Sequence, residues 1–169
     1  MTADDLKQQL QLPPVGQIGV VVEDLDRAVS FLEASFGLGP FRVQELEAPN
    51  VWDRGKEKRI KARLGFAMLG EVELELIHIV EGDSVHLEFL REHGEGIHHL
   101  GFRVADFEAK LKQARDMGLE VLQTGPTGRL YAYLDTRRHG GMIFELIEAS
   151  GDAEQLRADL GAAQGGSGA

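Results

Sequence analysis

The sequence predicts an α+β domain in which two βαβββ modules form one concave mixed sheet with helices on its convex face. The first observation is an internal repeat: one fixed shift along the chain aligns Gln17 with His99 and Gly19 with Gly101. The second is the pattern around each copy, where a period-two strand precedes a helix and further strands follow. One such module has a single helix and cannot bury both faces of its sheet, so we expect the two modules to share a core.

The first module begins with a strand over residues 15–22, VGQIGVVV. Asp24 then suits a helix N-cap, and apolar residues at helical spacing predict a helix that continues to Phe36. The following GLGP ends that helix, because glycine and proline disfavour its continuation. Three further strands are predicted, the last two as a hairpin that turns at Leu69 and Gly70: residues 41–47, 59–68 and 71–80.

The second module repeats this order after a linker with a short helix. A strand is predicted over residues 97–104, and Phe107, Leu111 and Ala114 form the apolar stripe of a helix that closes at Gly118. The remaining predicted strands are residues 120–123, 129–135 and 142–148. The divisions are a leader, 1–14; a domain, 15–149, composed of module one, 15–80, a linker helix region, 81–96, and module two, 97–149; and a flexible tail, 150–169.

Composition excludes several classes of function. The 169 residues carry a formal net charge of -10, which disfavours nucleic acid and anionic membrane surfaces as partners. There is no cysteine, so disulfides, thiolate nucleophiles and Cys-ligated zinc are excluded. No stretch approaches the roughly 18 apolar residues of a membrane-spanning helix. The first residues are acidic and lack the apolar run of a secretory signal, so we expect a cytoplasmic protein.

Polar side chains recur at matching positions of the two modules. Because alternate residues of a strand share a face, Gln17 lies on the same face as Gly19, and His99 on the same face as Gly101. Glu145 is a carboxylate among apolar neighbours in the last strand, where an acid is rare unless it is paired or binds a metal. Each residue alone is more often structural, but the repeat would bring them together about one pseudo-twofold axis.

The strand over residues 71–80 has two contrasting faces. Leu74 and Leu76 suit packing under a helix, whereas Glu73 and Glu75 lie on the opposite face. This acidic face is the one that we expect to point into the concave side of the sheet.

Longer segments carry a resemblance to a known family. VGQIGVVVEDLDRAVSFLEASFGLGPF, GEGIHHLGFRVADFEAKLKQARDMGLEVL, ELELI and IFELIE resemble the vicinal oxygen chelate (VOC) superfamily. That superfamily includes methylmalonyl-CoA epimerases, glyoxalase I, extradiol dioxygenases and bleomycin-resistance proteins. The resemblance covers roughly residues 15–149 and implies the VOC, or glyoxalase, fold.

The resemblance implies one divalent metal ion (Co, Ni, Zn, Mn or Mg) held by one residue from each of four strands. The matching positions are Gln17, Glu75, His99 and Glu145, while His98 is expected on the other face. Gln17 stands where epimerases of the family usually have His, and is similar to the Gln of eukaryotic glyoxalase I. One imidazole, two carboxylates and an amide oxygen suit a hard or borderline octahedral ion. The single imidazole argues against an extradiol dioxygenase, whose iron site needs two His and one carboxylate.

The reaction implied by the resemblance is proton abstraction beside a carbonyl, with Glu145 and Glu75 as the catalytic acids. The leading hypothesis is a metal-dependent isomerase or epimerase that resembles methylmalonyl-CoA epimerase. One alternative is a glyoxalase I-type lactoylglutathione lyase, which the Gln/Glu/His/Glu set favours. The alternative of another class is a non-catalytic small-molecule binding protein that sequesters drugs.

The substrate is expected to be a small anion. The resemblance implies that an epimerase of this type has two catalytic bases, the second of them a Glu on the third strand of the first module. The corresponding strand here, residues 59–68, contains no acid. We expect its apolar positions, Ile60 onward, to face a helix, and its basic positions to form an anion clamp, with a solvated basic edge as the alternative. The basic positions are Arg59, Lys61 and Arg63.

Tyr131 and Tyr133 are further candidate substrate contacts. The resemblance also implies a homodimer.

Overall fold

A computed structural model describes residues 9–127 and 129–149. The tail expected over 150–169 and the first eight residues of the leader lie outside the described residues. The elements are β1 (Gln17–Val21), α1 (Leu25–Phe36), β2 (Arg42–Asp53), β3 (Lys56–Leu69), β4 (Val72–Glu81), α2 (Val85–His93), β5 (Gly96–Val104), α3 (Phe107–Asp116), β6 (Val121–Pro126), β7 (Leu130–Asp135), a 3-10 turn (Arg137–His139) and β8 (Ile143–Glu148). Within the described ranges, no helix is long and apolar enough to span a bilayer.

The eight strands close into a barrel, whereas the sequence predicted a concave mixed sheet. The strand order is β1-β4-β3-β2-β6-β7-β8-β5, so each module contributes four neighbouring strands in an equivalent order. Within each module the first and last strands pair in parallel, β1 with β4 and β5 with β8. The modules meet at two antiparallel seams, β1 with β5 and β2 with β6.

Two helices cover the outside of the barrel, as the sequence predicted. The α1 helix begins where the Asp24 side chain accepts a hydrogen bond from the Arg27 backbone N–H at 3.0 Å. It ends at Gly37, whose φ of 63° is the left-handed conformation that glycine adopts without strain. Its Leu25 side chain packs against Leu74 and Leu76 of β4, the face that was expected to lie under a helix. The α3 helix packs in the same way over β7 and β8, through Phe107, Leu111, Ala114, Ala132, Leu134 and Leu146.

The α2 helix takes a different position and covers the inside of the barrel wall. Its first residues, Val85 and His86, are buried. Val85 packs in a cluster with Tyr131, Tyr133 and Ile143, whose side chains point inward. The prediction of helices on the convex face concerned the helix of each module and made no statement about the linker helix α2, which packs against residues of the cavity side.

The seam between β1 and β5 depends on two glycines. Gln17 pairs with Gly101, and Gly19 pairs with His99. A Cβ atom at Gly19 would lie 2.0 Å from Cε1 of His99, and a Cβ atom at Gly101 would lie 3.0 Å from Cβ of Gln17. Each glycine therefore leaves the space that the polar side chain of the other module occupies. The register then shifts, with Val20 opposite Ile97, so that His98 is the extra residue of a β-bulge.

This packing predicts a large difference between two glycine substitutions on the same seam. Gly19→Ala should destabilise the fold by about 1–3 kcal/mol, because the new methyl group overlaps the His99 ring. Gly96→Ala in β5 is the matched control, since its Cβ would meet only the Phe89 ring at 4.0 Å. Urea denaturation of both variants measures the free energies of unfolding. Equal values for the two variants would contradict the tight seam.

Candidate active site

The barrel encloses a cavity of about 340 Å³ with one polar and one apolar wall. The polar wall belongs to the β1–β5 seam and the two strands beside it. Its lining residues are Gln17, Glu73, Glu75, Arg103 and Glu145. The apolar wall belongs to β3 and the end of β4. Its lining residues are Ile60, Ala62, Leu64, Phe66, Ile77 and Ile79.

The apolar wall corrects the prediction for β3. Ile60, which was expected under a helix, lines the cavity together with the alternate residues that follow it. Gly65, on the opposite face, approaches α1, since a Cβ atom there would lie 3.2 Å from Cδ1 of Leu25. The period-two alternation of β3 is as predicted, but its apolar face lines the cavity and its other face approaches the helix. A stripe of apolar side chains fits an apolar cavity wall as well as it fits a helix. Of the β3 residues that line the cavity, none is an acid.

The three cations expected as an anion clamp therefore lie outside the cavity, and that expectation is wrong. Arg63 forms a bidentate ion pair with Asp26 at 2.8 and 2.9 Å. The other two cations pair with acids of neighbouring strands. The shortest of these ion pairs are Lys61 with Glu81 at 3.2 Å and Arg59 with Glu47 at 3.5 Å. Opposite charges across adjacent strands therefore account for Arg59 and Lys61, and an ion pair with helix α1 accounts for Arg63.

On the polar wall, the structure brings together the four side chains that the resemblance selected. Nε2 of His99 lies 3.1 Å from Oε2 of Glu145. The same nitrogen lies 3.3 Å from Oε1 of Gln17 and 3.7 Å from Oε2 of Glu75. These residues come from β5, β8, β1 and β4, so each module supplies two of them. His99 has no exposed side-chain surface, and Glu75 retains 13%.

The donor set fits a divalent cation. Neighbouring ligands of an octahedral ion bound at about 2.1 Å are about 3 Å apart, close to the separations around His99 Nε2. Oε2 of Glu145 is buried and has no hydrogen-bond partner among the described residues. The pKa of Glu75 is raised well above its ordinary value, first by burial and then by repulsion from Glu145 and Glu73. A bound cation would offset this repulsion.

A group of three histidines lies beside this set. The ligand nitrogens of His86, His98 and His99 lie within 4.8 Å of one another, so this group could also hold a metal ion. Nδ1 of His98 is 3.0 Å from Nδ1 of His99, and Nε2 of His86 is 3.0 Å from the Tyr133 hydroxyl. Burial lowers the pKa of His86 to about 3 and that of His98 well below its ordinary value.

His98 does not face away from the site as expected. Its ring lies 5.2 Å from the ring of Tyr133, and that of His99 lies 4.9 Å from it. The β-bulge at His98 breaks the strict alternation and places both imidazoles against the same tyrosine. His86 was not among the predicted site residues, because the short α2 helix carries too little periodicity to show which residues are buried.

The two tyrosines of β7 line the cavity. Gln123 Nε2 donates a hydrogen bond to the Tyr131 hydroxyl at 2.8 Å. Burial is the main cause that raises the pKa of Tyr131 and of Tyr133 above the ordinary value of a phenol. Both hydroxyl groups therefore keep their protons at neutral pH and can donate hydrogen bonds.

The cavity contains three arginines that were not among the predicted site residues: Arg42, Arg103 and Arg129. The Arg42 guanidinium lies 5.2 Å from the centroid of the Phe66 ring. The sequence held a signal for Arg103, because it shares a strand face with His99. No comparable periodicity marks the other two, which lie at the start of β2 and before β7.

Comparison with known proteins identifies the family. Residues 16–133 match the Glyoxalase/Bleomycin resistance protein/Dioxygenase superfamily, and the chain belongs to this superfamily, which confirms the resemblance. An uncharacterized protein of Bacillus subtilis, YqjC, is 30% identical over 140 residues, which are 80% of this chain and 91% of the relative. Human mitochondrial methylmalonyl-CoA epimerase is 27% identical over 141 residues, which are 80% of this chain and 73% of that enzyme.

Solved structures give the same result. Methylmalonyl-CoA epimerase from Streptomyces coelicolor, in complex with 2-nitronate-propionyl-CoA, superposes with a TM-score of 0.59 at 26% identity, covering 83% of this chain and 99% of that one. Methylmalonyl-CoA epimerase from Mycobacterium tuberculosis shares the fold, with a TM-score of 0.59 at 22% identity, covering 85% of this chain and 93% of that one.

The low pKa of His86 predicts loss of stability in acid. Between pH 6.5 and about pH 3 the unfolded state binds a proton at this residue that the folded state does not. His86 therefore contributes its stability above pH 6.5 and loses it as the pH falls, by up to about 1.4 kcal/mol per pH unit. Denaturant unfolding of His86→Gln between pH 7.5 and 4.5 should show a shallower pH dependence than the wild type. The exposed His93→Gln is the control, and an unchanged slope in His86→Gln would contradict the prediction.

Proposed function

We propose that this protein is a metal-dependent isomerase that removes and returns a proton beside the carbonyl group of an acyl thioester or 2-oxo compound, with methylmalonyl-CoA as the nearest candidate. The observation that carries the proposal is the convergence of oxygens from Gln17, Glu75 and Glu145 on Nε2 of His99 at the cavity wall. The likeness to methylmalonyl-CoA epimerases supports it.

With a divalent ion held by these four side chains, the site would supply Lewis-acid stabilisation to the negative charge that develops on the substrate carbonyl oxygen. Glu145 acts as the general base. Its strand neighbours on the same face, Ile143 and Ile147, are buried and apolar, and its own Oε2 has no hydrogen-bond partner among the described residues. The proton moves from the carbon next to the carbonyl to this carboxylate, and from a carboxylic acid back to that carbon.

Glu75 is the proposed second acid of an epimerisation. Inversion needs proton removal on one side of the carbon and proton delivery on the other. The β3 wall supplies no acid to the cavity, whereas Glu75 lies on β4, on the other side of His99 from β8. Its separation from His99 Nε2, 3.7 Å, is comparable with that of Glu145.

The proposed substrate is a small anion. Arg42 and Arg129 are cations of the cavity lining that could contact an anionic group, and the apolar wall suits the hydrocarbon part of an acyl group. Tyr131 and Tyr133 are the proposed hydrogen-bond donors to the substrate. The complex of the S. coelicolor enzyme with 2-nitronate-propionyl-CoA supports this substrate class. The homodimer, and the lack of nucleic-acid and membrane partners, stay predictions.

A glyoxalase I-type lyase is the second candidate. The observation that favours it is the amide of Gln17 at the first ligand position, together with one His and two Glu. The two reactions share proton abstraction by a carboxylate and differ in substrate. Parallel assays with methylmalonyl-CoA and with the hemithioacetal of methylglyoxal and glutathione therefore distinguish them. A purified protein that binds no divalent ion and converts neither substrate would instead indicate the small-molecule binding protein.

Metal content tests the site directly. His99→Ala should lose most of the bound divalent ion, because it removes the one nitrogen of the proposed ligand set. His78→Ala is the matched control, since this histidine of β4 pairs with Arg63 on the other face of the wall. Elemental analysis of protein purified without chelators measures both. Equal metal content in the two variants would overturn the ligand assignment.

The base is tested by Glu145→Gln. The amide oxygen of this variant can still coordinate a cation, but it cannot accept the substrate proton. Metal content should therefore be largely retained, while exchange of the substrate proton with deuterated solvent, followed by NMR, should slow by a factor of about 10²–10⁴. Exchange at the wild-type rate would assign the base elsewhere, with Glu75 as the next candidate.

A further inference from the structure

The Gln17 amide is held at both of its ends. Its Nε2 donates a hydrogen bond to Oε1 of Glu73 at 2.8 Å. Its Oε1 is turned the opposite way and lies 3.3 Å from Nε2 of His99. The two ends of a glutamine amide have nearly the same size, so packing alone distinguishes them poorly. Hydrogen bonding must determine which end faces His99.

Glu73 can determine which end of the Gln17 amide faces His99, because a carboxylate only accepts hydrogen bonds. It can pair with the NH₂ end of the amide and is repelled by the oxygen end. The side chain is 1% exposed, so water does not compete for the interaction. The register of the strands creates the contact, since Gln17 of β1 pairs directly with Glu73 of the parallel strand β4.

Arg103 balances the charge of this buried carboxylate. Its Nη2 donates to the same Oε1 of Glu73 at 2.7 Å, and only 10% of its side chain is exposed. An unpaired carboxylate at this depth would be strongly unfavourable, whereas a charge-assisted hydrogen bond compensates it. Arg103 comes from β5, on the same strand face as His99, so the pair spans the seam between the modules.

We infer that Glu73 is a positioning residue that fixes the Gln17 amide with its oxygen toward His99, and that Arg103 supports it. This role rests on the proposed metal centre, in which Gln17 would be a ligand through oxygen. Glu73 does not itself belong to the ligand set, and its effect on metal binding is exerted through Gln17. Such outer partners of ligands typically change metal affinity by about 10–100-fold when removed.

A double-mutant cycle on metal affinity tests the role. Isothermal titration calorimetry measures Kd for Mn²⁺ and Co²⁺ in the wild type, Glu73→Gln, Gln17→Ala and the double variant. We expect Glu73→Gln to weaken binding by about 10–100-fold, and to add nothing in the Gln17→Ala background. Glu71→Gln, an exposed change of the same charge beside the same strand, is the control. Additive losses would overturn the inference, because they would mean that Glu73 acts on the ion directly.

A second variant guards against misfolding. Glu73→Gln leaves the Arg103 charge unbalanced, so the pair Glu73→Gln with Arg103→Gln removes both charges together. This pair should show the same loss of affinity with a cooperative unfolding transition. Wild-type affinity in the pair would overturn the inference.

Side-chain NMR of the metal-free protein separates this inference from the proposed function. The ¹⁵N–¹H₂ resonances of Gln17 are assigned by their absence in Gln17→Ala. In the wild type, one amide proton should be shifted downfield by the hydrogen bond to Glu73, and the shift should become smaller in Glu73→Gln, because a neutral amide oxygen is a weaker acceptor than a carboxylate. This result together with no metal binding would overturn the metal centre but support the fixed amide. Unchanged resonances in Glu73→Gln would overturn the fixed amide.

Discussion

The antiparallel seam between β1 and β5 is the constraint on which the site depends. At this seam each module places a polar side chain over a glycine of the other: His99 over Gly19, and Gln17 over Gly101. Any larger residue at either glycine would push the two ligand-type side chains apart. The closed barrel follows from the same contact, because joining the first strand of each module leaves β2 and β6 to meet on the far side.

The charge distribution around the seam explains how so many acids fit in one wall. Glu73, Glu75 and Glu145 all line the cavity, and Arg103 neutralises only the first. Burial is the main cause that raises the pKa of Glu75, and repulsion from Glu145 and then from Glu73 adds to it. Burial of these carboxylates therefore reduces the stability of the fold at the wall where the chemistry is proposed.

The sequence predicted the repeat, the order of elements and the four side chains that meet at His99, because these depend on spacing and on the resemblance. The sequence did not predict the features that depend on contacts between distant parts of the chain. The period-two pattern of β3 could not show whether Ile60 faces a helix or a cavity, since both environments are apolar. The bulge at His98 and the inward position of His86 depend on pairing between distant strands, which no local pattern contains. Closure of the sheet likewise depends on only two paired residues of β2, Trp52 and Asp53.

The two modules carry chemically different residues at some of the positions that the pseudo-twofold axis relates. Glu75 has the charged residue Glu73 two positions before it on its strand, whereas Glu145 has Ile143 at the corresponding position. Arg103 similarly stands where the first module has Val21. Each module therefore carries one charged residue, Glu73 or Arg103, at a position where the other module carries an aliphatic one. The duplicated fold therefore gives the cavity two chemically inequivalent halves, and the inequivalence arises from the few positions at which the two copies have diverged.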